Sequence, residues 1–349
     1  MEKVLNGKKV HLEVIRLLAV CFVVFNHTDG YFLYFSNTEN PVTYTVSLFF
    51  SVLCRMNVPL FFMVSGALLL RKEESISELY RKRVGRILLV LLLFSVLQYV
   101  VSVWSGMETG EMGIRDFLFR FYTGNIADSY WFLYAYLGVL AGLPLFRRMA
   151  GGMGMEEFRY LFCLKLLSDV VFRLAAVYTG RAAAMEIPLV TDSVFYLFAG
   201  YYMEWEAPEE WYGRKDIGRG AAAAGVGLVL VSMALVWLEY KVTGAYSQNC
   251  LGIFSSILTI IAYYMVKSFC GSYAMSGRVR NMVVYLGSTV FGIYLIEPLV
   301  RKQLLPVYLY LCDRTVGLAA CFVYVTGTLL LSVIYVSIGK KVPVIGKLL

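Results

Sequence analysis

Ten apolar runs, each close to the length of a bilayer crossing, limit what this chain can fold into. They lie roughly at 12–35, 44–70, 84–104, 129–147, 159–178, 188–204, 220–241, 250–269, 282–303 and 315–338. A helix needs about 20 predominantly apolar residues to span the hydrocarbon core, and its backbone must satisfy its own polar groups there. The hydrophobic fraction is 59%, above the roughly 45–50% of soluble domains. The runs predict an all-α integral membrane protein of about ten transmembrane helices, a single domain over residues 1–349 with no internal repeat. Lys3, Lys8 and Lys9 ahead of the first run imitate a secretory signal. No small-residue cleavage site follows, so a retained span is expected.

A net charge of +8 invites a nucleic-acid partner, but the cations follow membrane topology instead. One set of alternate connections holds Arg71, Lys72, Arg81, Lys82, Arg83 and Arg86, then Arg147, Arg148 and Arg159, then Arg214, Lys215 and Arg219, then Arg278 and Arg280. The other set holds chiefly Arg115, Arg120, Arg181 and Arg314. The positive-inside rule then puts both termini in the cytoplasm and makes the lipid bilayer the expected partner, with no nucleic acid. The seven cysteines are scattered without a C-x-x-C, and there are only two histidines. No metal site and no bound cofactor are expected. The connection at about 105–129 carries Met107, Met112, Ile114, Phe117, Leu118 and Phe121 among charges, which suits an amphipathic helix lying in the interface. Pro41, Pro188 and Pro306 mark outer turns or helix starts.

Ionisable residues inside the runs are costly and point to function. Arg16 and His27 are eleven residues apart, nearly three helical turns, so they share a face about 16 Å apart along the axis. Arg55 and Asn57 fall in the second run, Asp169 and Arg173 in the fifth, Asp192 in the sixth, Glu297 and Arg301 in the ninth. With the topology above, His27, Arg55, Arg173, Asp192, Glu297 and Arg301 occupy the outer half of the membrane. At that density charges must pair or line a wet cavity. Asp169 with Arg173, and Glu297 with Arg301, also have the i, i+4 spacing of a simple structural pair. His27 equally suits an interhelical hydrogen bond. Arg83 and Arg86 project from one helix face and could clamp phosphates, or merely anchor the topology. Tyr31, Tyr34, Tyr130 and Trp131 suit an interfacial aromatic belt, and Trp131 also suits stacking on a sugar ring.

The Arg16-x10-His27 pair resembles the signature of the type 3 bacterial membrane acyltransferases, which O-acylate surface carbohydrates. The resemblance continues, in family order, through RMNVPLFFMVSGALLL (Arg55 to Leu70), the Arg-x-x-Arg of Arg83 and Arg86, and YWFLYAYLGVLAGLPLF (Tyr130 to Phe146). It ends in FGIYLIEPLV (Phe291 to Val300), similar to the family's late Ile-Tyr-Leu-Ile-His-Pro motif. Nearly the whole chain is covered. It implies a multi-pass enzyme of the bacterial inner membrane that moves an acyl group, most simply acetyl, from cytoplasmic acyl-CoA to a hydroxyl of an envelope carbohydrate. His27 would be base or nucleophile with Arg16 and Glu297 as further catalytic residues, Arg83 and Arg86 would hold the donor, and Arg55 and Trp131 the acceptor. Glu297 departs from the pattern, standing where the family often has histidine. A carboxylate does not donate a proton at neutral pH unless its pKa is raised, but it can orient an imidazole. Two other readings use the same charges: a secondary transporter of an anionic solute and a non-catalytic helper of polysaccharide assembly.

Overall fold

A computed structural model describes residues 9–28, 40–104, 113–244, 250–273 and 275–348. Tyr31, Tyr34, Met107 and Met112 lie outside them. The described residues form helices and turns without a strand. The helices are α1 (Val10–Asn26), α2 (Pro41–Cys54), α3 (Asn57–Leu69), α4 (Ile76–Trp104), α5 (Ile114–Thr123), α6 (Trp131–Ala150), α7 (155–179), α8 (Asp192–Tyr201), α9 (Lys215–Thr243), α10 (Ser255–Ser272), α11 (Gly277–Cys312), α12 (Gly317–Gly339) and α13 (Pro343–Leu348).

Among the described residues, seven segments are long and apolar enough to cross a membrane: Pro41–Leu69, Ile76–Trp104, Asp128–Ala150, Lys215–Thr243, Cys250–Ser272, Gly277–Cys312 and Gly317–Gly339. Three of the ten sequence runs give helices that fall short of that criterion for visible reasons. The first yields α1, with 17 residues. The fifth yields α7, whose apolar stretch is interrupted by Lys165, Asp169 and Arg173 and by a π-helical turn at Leu167–Phe172. The sixth yields the ten-residue α8, which runs on into a second π turn at Tyr202–Glu206. The ninth run goes the other way. It continues to Cys312 through Pro298 and Pro306, so Pro306, expected at a turn, sits inside α11. On α5, Phe117 and Phe121 pack beside Tyr99 and Tyr134, while Ile114, Leu118, Phe119 and Tyr122 are exposed.

α1 is the central post. Its Leu12, Ile15 and Ala19 enter one buried cluster, Val20, Val24 and Phe25 a second, and Val23 a third. The helix carrying both Arg16 and His27 is therefore clamped on several sides, by α11, α3, α10, α2 and α12.

Lipid tails are as apolar as leucine, so close packing rather than hydrophobic burial selects helix partners in a membrane. One such crossing brings α3 and α8 together backbone to backbone. A Cβ on Gly66 would overlap the Leu197 carbonyl, and one on Gly200 would overlap the Met63 carbonyl. Backbone meets backbone on both sides, with no flexible side chain able to yield. Gly200→Ala should therefore destabilise the fold by about 1–3 kcal/mol, the usual range for overpacking, or more. Gly138→Ala is the matched control, because no atom lies within 4 Å of its added methyl. Thermal melts of the two variants in detergent check this. Equal melting temperatures would show that the crossing can relax freely.

Candidate active site

Two local breaks create the polar end of the bundle. Pro59 sits near the start of α3, where its missing N–H and its ring bulk disrupt a helical bond to the carbonyl four residues back, that of Arg55. The second run accordingly divides at Arg55–Met56, between α2 and α3. Asn57 accepts from the Val58 amide at 2.6 Å. α1 ends at Asn26, with His27 as its C-cap in helical geometry. There Thr28 Oγ1 donates to the Phe25 carbonyl at 2.7 Å, and Arg301 donates to the His27 carbonyl at 2.7 Å. A guanidinium at a helix C-terminus satisfies an orphan carbonyl and opposes the negative end of the helix dipole.

The same arginine closes a ring around the histidine. Arg301 Nε donates to Glu297 Oε2 at 2.7 Å, and Glu297 Oε1 lies 2.6 Å from His27 Nδ1. Glu297 has no exposed surface. An ionised carboxylate only accepts, so Nδ1 carries a proton, and in the neutral imidazole Nε2 then keeps its lone pair. The imidazole is thus fixed in orientation and tautomer by a carboxylate that is itself fixed by Arg301. Tyr324 steadies the other side by donating to the Arg301 carbonyl at 2.7 Å. Tyr130 donates to the Leu295 carbonyl at 2.8 Å, and Tyr294 donates to the Ser129 carbonyl. These two bonds tie the start of α6 to α11 one turn before Glu297.

His27 borders a cavity of about 360 Å³. Arg55, Asn57, Trp131, Arg173, Asp192 and Asn26 also line it, each from a different stretch of chain except the first two. The wall behind Asp192 is a buried ion cluster. Lys165 Nζ lies 2.5 Å from Asp192 Oδ1 and 3.1 Å from Asp169 Oδ1, and it donates to the Val190 carbonyl at 3.1 Å. Arg173 is 3.7 Å from Asp169. The Asp169–Arg173 pair expected from spacing exists, but Asp169 leans more closely on Lys165.

Arg16 is not at this cavity. Its guanidinium pairs with Glu13 at 3.2 Å, nearer the opposite, basic end of the bundle. Glu13 fits there because α11 offers Gly287, where a Cβ would overlap the Glu13 side chain. Arg16, Arg83 and Arg86 each act electrostatically on Tyr136 of α6. A π turn at Tyr80–Val84 separates Arg83 from Arg86, and the two side chains take different partners. Arg83 binds Glu74 at 2.7 Å, whereas Arg86 donates to the Leu348 carbonyl of α13 at 3.0 Å. Glu74 is shared with Arg147 at 2.8 Å. Burial alone would raise its pKa, but the bonds from Arg83 and Arg147 outweigh that and hold the carboxyl below its ordinary value. Arg71, Lys72 and Arg147 line a second, more open cavity of about 630 Å³ at this end.

Several of these residues escaped the sequence reading. Lys165 was findable, being four residues before Asp169 in the same apolar run. Glu13 and Gly287 had no local signal, since their relation is set by the α1–α11 crossing. The other histidine, His11, lies 2.9 Å from Glu204, which also binds Lys9 at 2.5 Å and accepts from Tyr263 at 2.7 Å. That cluster ties the start of α1 to α8 and α10.

No curated protein and no solved structure matches the chain. The family model described as an acyltransferase domain (acyltransferase 3) matches residues 10–337. That span holds the central helix, both cavities and the His27–Glu297–Arg301 ring, and the chain belongs to this family of membrane acyltransferases.

Proposed function

We propose that the protein takes an acyl group, most simply acetyl, from cytoplasmic acyl-CoA and delivers it to a hydroxyl of an envelope or exopolysaccharide carbohydrate. The observation that carries this reading is His27, poised by Glu297 beside a polar cavity, with Nε2 free of a partner among the described residues. In this reading the chain makes ten crossings of a bacterial inner membrane, with both termini at the basic, cytoplasmic end. Supporting the three short crossings, α1 and α8 are largely buried within the bundle, and Lys9 and His11 share Glu204 with the end of α8.

The chemistry then follows from the geometry. Nε2 takes the acceptor hydroxyl proton as the oxygen attacks the thioester carbonyl. The tetrahedral intermediate collapses, the C–S bond breaks, and the imidazolium returns the proton to the leaving thiolate. The products are an ester and CoA thiol. Glu297 holds the tautomer and steadies the transient imidazolium, with Arg301 balancing its charge. Alternatively, Nε2 itself attacks the thioester, breaking the C–S bond and expelling CoA thiolate. The acceptor hydroxyl then takes the acyl group from the acyl-imidazole as its proton passes to the thiolate, restoring His27.

The donor belongs at the basic end. A polyanion such as CoA cannot enter lipid, and Arg83, Arg86 and Arg16 supply cations where its phosphates would stop. The acyl-bearing arm would run from Arg16 toward His27, about 16 Å along α1. Arg83→Ala and Arg86→Ala should each weaken CoA affinity by about tenfold to a hundredfold, the cost of one charge-assisted phosphate contact, with a smaller change in the chemical step. Lysine at either position should rescue in part, because charge is kept and the planar fork is lost. Equilibrium CoA binding checks this, and unchanged affinity in both variants would reduce the pair to topology anchors.

The test of the function as a whole is release of CoA thiol from acetyl-CoA by the purified protein in the presence of candidate acceptors. A transporter or an assembly helper would leave the thioester intact.

A further inference from the structure

Acyl transfer needs one group that His27, Glu297 and Arg301 do not supply. As the thioester is attacked, the carbonyl π electrons move onto its oxygen, and a donor already in place stabilises that oxyanion best. Asn57 has the local geometry of such a donor. It is the first residue of α3, just past the break at Arg55–Met56, and it lines the cavity together with His27. Its Oδ1 accepts from the Val58 amide at 2.6 Å. A backbone N–H calls for an acceptor, so this bond settles which end of the carboxamide is oxygen. The NH₂ is then directed away from that amide. Asn57 is only half-buried, and its NH₂ has no protein partner among the described residues. Asn26 lines the same cavity, but no side-chain bond among the described residues fixes its carboxamide. A short side chain with one bond already made has little freedom left to lose, and a neutral donor held in advance needs no reorganisation at the moment of reaction.

We infer that Asn57 is a further catalytic residue, whose Nδ2–H donates to the thioester carbonyl oxygen as that oxygen becomes an oxyanion. This rests on the transferase reading above and serves both of its routes, since each passes through a tetrahedral intermediate. No proton changes hands at this contact. The hydrogen bond strengthens as the C–O π pair moves to oxygen. It weakens when the pair returns, re-forming the carbonyl and breaking the C–S bond, or the C–N bond of the acyl-imidazole. The cavity volume of about 360 Å³ is at the lower end of the range for small-molecule sites, about 300–1,000 Å³. A thioester set against Nε2 of His27 therefore lies close to the other groups that line so small a space.

The test uses the full-length protein in nanodiscs, with acetyl-CoA isotope-labelled at the carbonyl as donor and glucose and envelope polysaccharide as acceptors. Two variants separate the two ends of the carboxamide. Asn57→Asp keeps an oxygen for the Val58 amide and loses the NH₂, whereas Asn57→Ala loses both. Each should lower kcat by about 10²–10³-fold, the usual cost of one oxyanion donor, with acetyl-CoA affinity little changed. Asn57→Asp should melt like the parent. In infrared difference spectra the carbonyl stretch of bound acetyl-CoA should rise in frequency in both variants, because a hydrogen bond to the oxygen lowers it. Parental turnover by Asn57→Asp would reduce the residue to a brace for the start of α3 and overturn the inference. So would a raised KM for the acceptor at unchanged kcat, which would mark a contact to the acceptor, or a carbonyl band that is the same in parent and variants. A band that shifts with Asn57 in a protein that releases no CoA with either acceptor would instead uphold the carbonyl contact and refute the transferase reading.

Discussion

His27→Ala is expected to lower acyl transfer by about 10²–10⁴-fold, the usual contribution of a positioned general base, and further if the imidazole is itself acylated. Membrane insertion should survive. Removing one partner of a buried ion pair usually costs several kcal/mol because the other charge is stranded. Here Glu297 keeps its 2.7 Å bond from Arg301, so the stranded-charge term is small. The His27 carbonyl that Arg301 also holds belongs to the backbone and remains in the alanine variant. Single-turnover transfer on folded protein, with thermal melts alongside, is the measurement. Transfer within tenfold of the parent would remove His27 as the essential base or nucleophile.

Glu297→Gln should be almost as damaging, for a reason that shape alone hides. Both neighbours of the carboxylate are donors: Nδ1–H of His27 and Nε–H of Arg301. Two carboxylate oxygens accept from both, but an amide has one oxygen and one NH₂. If the amide oxygen turns to Arg301, its NH₂ faces Nδ1, and the imidazole must move its proton to Nε2, where the lone pair is needed. If it turns to His27, the part-buried Arg301 guanidinium meets a donor. The expected loss is about 10²–10⁴-fold in turnover, comparable with placing a catalytic imidazole in the wrong tautomer, with CoA affinity unchanged. A purely structural Glu297–Arg301 pair predicts lower thermal stability with normal activity per folded molecule. Measuring both on one preparation separates the roles, and a fully active variant would refute the orienting role.

Much of this was legible in the chain because membranes constrain it so strongly. Apolar runs gave the helices, and the cost of intramembrane charge drew attention to His27, Arg55, Asp192, Glu297 and Arg301. Their convergence was not legible, since it depends on how α1, α7, α8 and α11 cross. Spacing suggested that Glu297 and Arg301 pair, and they do, yet only the tertiary structure brings the His27 ring and carbonyl into the same circuit. The three π turns, at Tyr80–Val84, Leu167–Phe172 and Tyr202–Glu206, also escaped detection. Each contains a charged side chain, Arg83, Asp169 or Glu204, and carries no sequence mark comparable to proline. Arg83 and Arg86 take separate partners, although three-residue spacing puts them on one face of a regular helix.

The crossing of α3 and α8 also bears on how the molecule can move. Two backbones in direct contact at Gly66 and Gly200 cannot slide without first separating, so these helices form one stiff slab. The slab meets the cavity through Phe62 of α3 and Ser193 of α8. Any breathing that admits a bulky acceptor or lets a product leave must then come from the periphery. Of the segments with the least buried spans, α9, α4 and Asp128–Ala150, only the last lines the cavity, through Trp131, Phe132 and Ala135, and it is the available shutter. Motion there could vary the aperture without disturbing the register between the imidazole and its carboxylate.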